Sequence, residues 1–181
     1  MEVWIPITIC AAFFQNVRTA LQKYLKGRLS TGGATYVRFF YGLPFVFLYV
    51  LGLNEIGGFA FPALNSEFAV YVIVGGLAQI LATALLILLF SLRNFAIGTT
   101  YSKTETVQAA IFGIVLLGDS LSTTAILAIA ISLTGIMFIS ASGGKLSVKD
   151  ILLGWTGKSA LYGLLSGGLF GVSAVAYRAA A

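Results

Sequence analysis

The sequence predicts an all-α membrane protein, a polytopic bundle of six transmembrane helices. Of its 181 residues, 59% are hydrophobic and 9% are charged, whereas a soluble domain carries about 25% charged residues. The sequence contains six candidate spans of roughly 20 residues, the length at which a helix crosses a hydrocarbon core about 30 Å thick. The spans do not alternate as barrel strands would, and only helices or closed barrels satisfy their backbone hydrogen bonds in lipid. An ordinary water-soluble globule is therefore excluded.

Each predicted span has a sequence reason for its limits. The first follows Glu2 and ends near Arg18, without the basic start and small-residue cleavage site of a signal peptide, so it is retained as a helix. Pro44 is expected to kink or locally unwind the second span. Turn residues such as Gly118 and Asp119 separate the later spans, and we interpret these two, like Pro44, as structural. The six spans cover residues 3–21, 35–53, 69–92, 95–117, 121–141 and 159–177.

Residues 98–106 are polar, which leaves only 11 residues after them in the fourth span. Hydropathy alone therefore does not show whether this span crosses the membrane, and we use the distribution of charge instead. Lys and Arg collect in cytoplasmic loops. With the fourth span counted as a crossing, eight basic residues fall on one face of the membrane and Arg178 falls on the other. Without it, the last three lysines change sides. We therefore predict that this span crosses and that the amino terminus lies outside the cytoplasm. The eight residues are Lys23, Lys26, Arg28, Arg38, Arg93, Lys145, Lys149 and Lys158.

Three ionisable residues fall well inside the predicted spans, and they are Arg18, Lys103 and Glu105. Each costs about 2.5–3.5 kcal/mol on insertion scales unless it faces protein or water. On a continuous helix Lys103 lies about 200° around from Glu105, so the two cannot simply pair with each other. We expect Glu105 to meet Arg18 or Arg38, and Lys103 to line a wet cavity. For Arg18 and Arg38 the alternative is that their side chains snorkel to the interface. For Lys103 and Glu105 the alternative to a cavity or pathway role is a buried structural ion pair.

Polar and small residues indicate how the helices pack. Tyr101 and Gln108 share the Glu105 face of a continuous helix. They are candidates for the same pathway, or for hydrogen-bonded contacts between helices. Small residues at four-residue spacing allow close approach of two backbones. Packing within the bundle is the favoured interpretation of these small residues, and dimerisation is the alternative. They are Gly163, Gly167 and Gly171 in the sixth span, with Ala109 and Gly113 in the fourth.

The sequence lacks the groups that several other functions need. It has no His and a single Cys, Cys10, so zinc sites, haem ligation by His, His-based acid/base catalysis and an intrachain disulfide are excluded. No nucleotide-binding loop is present. The basic residues behind the net charge of +5 are scattered between apolar runs rather than gathered for nucleic acid. We expect no cofactor, no metal, no nucleic-acid partner and no enzymatic activity.

Three features together carry a resemblance to a known family. They are Arg38 near the start of the second span, the corner Leu116-Leu117-Gly118-Asp119, and the following span with Gly135. The chain resembles EamA-type members of the drug/metabolite transporter superfamily over residues 3–177. In that family a Leu-Gly-Glu corner closes the fourth helix, and here Asp119 replaces the Glu.

The resemblance implies ten helices in two five-helix repeats of inverted topology. Residues 3–141 then form the first repeat, residues 142–158 the loop between repeats, and residues 159–178 the first helix of a second repeat, truncated after this sixth helix. The family is also expected to have both termini in the cytoplasm. That expectation conflicts with the charge distribution, so both orientations stay open.

The function that the resemblance implies is secondary transport, the export or import of a small metabolite by alternating access across a bacterial inner (plasma) membrane. Arg18 or Lys103 would attract an anionic group, and Glu105 would pair with a cation or carry a coupling proton. Tyr101 and Gln108 would complete the substrate pathway. The alternative is a non-functional fragment or a structural subunit, which needs a second helix bundle or a dimer partner.

Overall fold

The computed structural model describes residues 4–61, 64–92, 101–141 and 158–181, and the regular structure in these ranges is helical throughout. The predicted all-α class is confirmed for them. The helices are α1 (Trp4–Lys26), α2 (Thr31–Phe40), α3 (Leu43–Glu55), α4 (Ser66–Leu92), α5 (Glu105–Leu117), α6 (Thr123–Ala141) and α7 (Lys158–Ala180). Because α3 follows α2 across a two-residue turn, the described helices form six consecutive segments.

Three helical segments of the described residues are long and apolar enough to cross a membrane, by length and composition: Thr31–Glu55, which combines α2 and α3, then α4 and α7. α1 is 23 residues long, but Gln15, Asn16 and Arg18 interrupt its apolar sequence. α5 has 13 residues and rises about 20 Å, less than a hydrocarbon core of about 30 Å. The predicted fourth span starts earlier, and its residues 95–100 lie outside the described ranges. Six crossings therefore stay a prediction.

The interruption expected at Pro44 lies just before that residue. α2 ends at Phe40, and the N–H of Tyr41 still donates to the carbonyl of Val37 at 3.3 Å. α3 begins at Leu43, which places Pro44 in its first turn. The N–H that proline lacks has no helical partner at this position. Pro44 thus starts a new helix instead of bending a continuous one.

The best-packed part of the described chain lies between α4 and α7. The hydroxyl of Ser166 donates to the carbonyl of Ala82 at 2.8 Å, and the hydroxyl of Ser173 donates to Gln79 Oε1 at 2.6 Å. Both serines are fully buried. Since the partner number falls along α4 as it rises along α7, the two helices are antiparallel. Hydrogen bonds between helices are typical of membrane proteins, in which the hydrophobic effect does not drive helices together because lipid is as apolar as their side chains.

α7 lies against α5, and against the turn before it, through the predicted glycine stripe. A Cβ added at Gly167 would lie 2.9 Å from Thr104 Oγ1 and 3.0 Å from the carbonyl oxygen of Ser102. A Cβ at Gly171 would lie 3.0 Å from the backbone nitrogen of Ala109. These distances are shorter than ordinary carbon contacts, so the close approach depends on glycine. Because both partner numbers rise together, α5 and α7 are parallel.

The directions of the helices separate the described charges toward two ends. Lys23 Nζ lies 5.9 Å from the ring centroid of Phe90, so the basic end of α1 is beside the carboxyl end of α4. Lys158 begins α7 at this same end. Asp119 and Arg178 form a salt bridge near the opposite end of α7. This separation agrees with the predicted distribution for the described residues. Three of the predicted basic positions lie outside them, namely Arg93, Lys145 and Lys149.

We expect Gly167→Ala to destabilise the chain in detergent by about 1–3 kcal/mol, because the new methyl group overlaps Thr104 and the backbone of the turn. Gly52→Ala is the matched control, since nothing lies within 4 Å of a Cβ built there and Ala favours a helix by about 1 kcal/mol over Gly. The midpoint of thermal unfolding should fall for the first variant and stay level or rise for the second. Equal midpoints would contradict the close contact at Gly167.

Cysteine labelling is expected to place the two ends on opposite sides of the membrane. The background is Cys10→Ala, because Cys10 is the single cysteine. A membrane-impermeant maleimide should modify a Ser120→Cys variant in intact cells, and a Leu29→Cys variant only after permeabilisation; both positions are exposed. The reverse pattern would favour the orientation that the family resemblance implies. Labelling of both variants from one side would contradict the helix directions described above.

Candidate functional site

A cavity of about 260 Å³ lies between α1, α2, α4, α7 and the turn before α5. It brings together the three charged residues that the sequence places inside predicted spans, Arg18, Lys103 and Glu105, and adds Arg38 to them. We call it the charged cavity. Its lining residues are Gln15, Asn16, Arg18, Thr19, Arg38, Gln79, Leu86, Ser102, Lys103, Glu105, Phe170, Ala174 and Tyr177.

The charged cavity has an excess of positive charge. Its basic residues are Arg18, Arg38 and Lys103. Its one carboxylate is that of Glu105, so ordinary ionisation states give it a net charge of about +2. Glu105 is half-buried and lies within electrostatic reach of all three cations. Among the described residues no salt bridge within 4.0 Å forms in this cavity, so the carboxylate is shared among the cations instead of being paired with one.

Arg38 is oriented by aromatic rings from two helices. Its guanidinium carbon lies 5.3 Å from the ring centroid of Phe39 and 5.7 Å from that of Phe170. Both distances are in the range of cation–π attraction. Because Phe170 is on α7, these contacts hold the guanidinium toward the middle of the bundle.

Tyr101 and Gln108 hold the turn before α5 and are not among the residues that line the charged cavity. Gln108 Nε2 donates to Thr104 Oγ1 at 2.9 Å and to the carbonyl of Leu164 on α7 at 3.2 Å. Tyr101 is 3% exposed, and its Cβ packs on Gly163. Its carbonyl accepts a hydrogen bond from Thr104 Oγ1 at 2.8 Å. The Gln108 side chain thus joins α5 to α7.

The fourth predicted span is interrupted beside the charged cavity. Residues 101 and 102 are helical, residues 103 and 104 form a turn, and α5 starts at Glu105. The prediction of a continuous helix through Lys103 and Glu105 is therefore wrong. Since Glu105 is the first residue of α5 and lines the cavity, the amino-terminal end of α5 lies there too. The unpaired N–H groups of a helix start carry partial positive charge, which adds to that of the cations.

A polar stripe on α1 is a feature that the sequence analysis missed. Gln15 and Arg18 line the cavity, and Gln22 follows on the same face at helical spacing. The Gln22 side chain is 3% exposed, and its amide has no hydrogen-bond partner in the described part of the chain. The spacing of three and then four residues is a signal that the sequence itself contains. It extends the polar face of α1 one turn beyond the cavity, toward the basic end.

The described residues thus define an all-helical protein with three helices long and apolar enough to cross a membrane and a charged cavity between its helices. Within the same residues no group of three His, Cys, Asp or Glu side chains is placed to hold a metal ion. Comparison with protein-family models, curated proteins and solved structures found no match for this chain.

Gln22→Leu is expected to stabilise the chain in detergent by about 1–3 kcal/mol. The substitution replaces a buried amide that has no described hydrogen-bond partner with an apolar side chain of similar size. The control is Gln15→Leu on the same face. Gln15 is exposed, so a change within about 0.5 kcal/mol is expected. The measurement is the midpoint of thermal unfolding. A lower midpoint for Gln22→Leu would show instead that the amide is hydrogen-bonded in the intact protein.

Proposed function

We propose that this chain is a secondary membrane transporter that moves a small polar metabolite by alternating access, with the charged cavity as its binding site. The observation that carries the proposal is the convergence of ionisable side chains from α1, α2 and the 103–105 segment on one cavity. In a membrane each of these charges costs about 2.5–3.5 kcal/mol unless protein or water solvates it. Charged residues with such a high free energy of insertion are typical of a substrate pathway rather than of helix packing alone.

The interrupted helix before α5 supports the same proposal. Transporters commonly form their sites from discontinuous helices, whose ends and unwound backbone face the substrate. Here the turn at Lys103 and Thr104 ends in Glu105 at the cavity. The neighbouring aromatic side chains, Phe170 and Tyr177, provide an apolar wall beside the charged groups. A metabolite with polar and apolar parts suits this lining.

The exposed aromatic side chains of α3 support insertion in lipid. α3 buries none of its residues, and Phe45, Phe47 and Tyr49 are 65–74% exposed. A patch of this kind on a water-soluble protein would drive aggregation or binding, whereas lipid covers it without cost. We propose an integral protein of a bacterial inner membrane of the EamA type, in which these helices make the first five-helix repeat and the first helix of an inverted second repeat.

The alternative is a subunit that does not transport without a second helix bundle, supplied by further sequence or by another chain. The bare surface of α3 also favours this alternative, because a second bundle would cover it as well as lipid does. The two proposals differ in one measurable respect. A transporter moves solute when it is the sole protein in a vesicle, and a subunit of this kind does not.

Uptake by proteoliposomes tests the proposed function. Vesicles that contain the purified chain are incubated with a ¹³C-labelled bacterial metabolite extract, washed, and analysed by mass spectrometry for retained solutes. We expect retention of at least one solute above protein-free vesicles. Arg38→Gln should lower this uptake at least tenfold, since it removes a charged hydrogen-bonding group from the cavity. Lys158→Gln, an exposed position outside the cavity lining, should leave it unchanged.

Failure of correctly folded protein to retain any solute would favour the subunit alternative. Proton coupling through Glu105 is tested separately in the same vesicles. With an imposed pH gradient, Glu105→Gln should abolish the dependence of uptake on that gradient. If the variant keeps both its uptake and its pH profile, Glu105 does not carry the coupling proton.

A further inference from the structure

The excess positive charge of the charged cavity identifies the class of its ligand, an inference that rests on the proposed function. We propose that the cavity binds a small organic dianion in which two carboxylates are joined by a short carbon chain. Three cations and one carboxylate line it, so a ligand with two negative charges makes the occupied site neutral. A neutral or cationic ligand would leave the excess charge uncompensated in surroundings where charge is costly.

The Glu105 carboxylate offsets more of the positive charge of Lys103 than of either arginine. Of the three cations, Lys103 acts most strongly on the Glu105 carboxylate, followed by Arg38 and then Arg18. Lys103 lies in the turn and Glu105 is the first residue of α5, so the two are close along the chain. The two guanidinium groups therefore keep more of their positive charge for a ligand than Lys103 does.

The two guanidinium groups belong to different helices and repel each other. Arg18 is on α1 and Arg38 is on α2, and each lies within reach of the other's charge. A guanidinium presents a planar fork of donors that matches a carboxylate in two parallel hydrogen bonds. Two such forks on separate helices match two separate carboxylates better than one compact anion. Arg38 is already oriented by Phe39 and Phe170, which reduces the entropy lost on binding.

A short carbon chain fits the size and the apolar lining of the cavity. A cavity of about 260 Å³ has room for several molecules of water, each of which takes about 30 Å³ in the liquid. A five-carbon dicarboxylate fits in this volume, because its bonded atoms lie closer together than water molecules do. Leu86, Phe170 and Ala174 supply the apolar surface that methylene groups need.

Three probes of five carbons each separate charge from size. Glutarate carries two carboxylates, pentanoate carries one, and pentane-1,5-diamine carries two positive charges. Each is titrated into the purified chain in detergent, and the shift in thermal unfolding midpoint gives an apparent Kd. We expect glutarate to bind at least tenfold more tightly than pentanoate, the diamine to give no shift, and added KCl to weaken glutarate binding by screening. A fourth probe, glycerol 3-phosphate, carries its negative charge on one group and should bind more weakly than glutarate.

Variants of the lining residues test the geometry. Arg18→Gln and Arg38→Gln should each raise the Kd of glutarate at least tenfold, and Lys158→Gln should leave it unchanged. Glu105→Gln should lower this Kd, because it removes the negative charge that competes with the ligand. A merely structural role of Glu105 would leave the Kd unchanged or raise it. If one arginine variant fails to fold, the other variant and the comparison of probes on the unaltered chain still decide.

Ligand binding and vesicle uptake test the dicarboxylate assignment and the proposed function separately. Equal or tighter binding of pentanoate, the diamine or glycerol 3-phosphate would overturn the dicarboxylate assignment, even if vesicles take up another solute. Binding of glutarate without any uptake in vesicles would instead support the assignment and count against transport by the chain alone.

Discussion

The contact between Gly167 on α7 and the turn at residues 102–105 is the constraint on which the rest of the structure depends. The absence of a side chain at Gly167 lets Thr104 and the carbonyl of Ser102 approach the α7 backbone. The turn that follows the helical residues 101 and 102 therefore packs against α7. This position brings Lys103 and Glu105 to the same cavity as the arginines of α1 and α2. Without that approach the charges would have no common cavity.

Polar contacts fix this arrangement as much as apolar packing does. The serines of α7 bond to Ala82 and Gln79 on α4, and Gln108 on α5 bonds to the backbone of α7. In lipid such bonds are needed because burial of apolar surface does not distinguish helix contact from lipid contact. Gln79, which accepts one of these bonds, also lines the charged cavity beside the four ionisable side chains. Structural hydrogen bonds and candidate binding groups thus share one polar interior.

Much of the fold follows from residue patterns, and the site follows only in part. Apolar run lengths predict the helices, and proline chemistry predicts the interruption at Pro44. The assignment of Tyr101 to the Glu105 face assumed a continuous helix, and the turn at residues 103 and 104 lies between these two residues. The face derived from regular helical spacing therefore does not apply to Tyr101, whereas Gln108 follows Glu105 within α5. Gln22 was missed for a different reason: its burial depends on neighbouring helices, which the spacing within α1 does not specify.

The salt bridge between Asp119 and Arg178 gives α5 a second attachment to α7. Asp119 follows the left-handed Gly118 that caps α5, and Arg178 lies in the last turn of α7. With the glycine contact near the start of α5 and this ion pair just beyond its end, the two parallel helices are fastened at both extremities. They pack closely with α4 as one group, while α1 and α2 pack more sparsely on it. Arg18 and Arg38 therefore lie on the sparsely packed wall of the cavity, and the Glu105 carboxylate lies on the densely packed group.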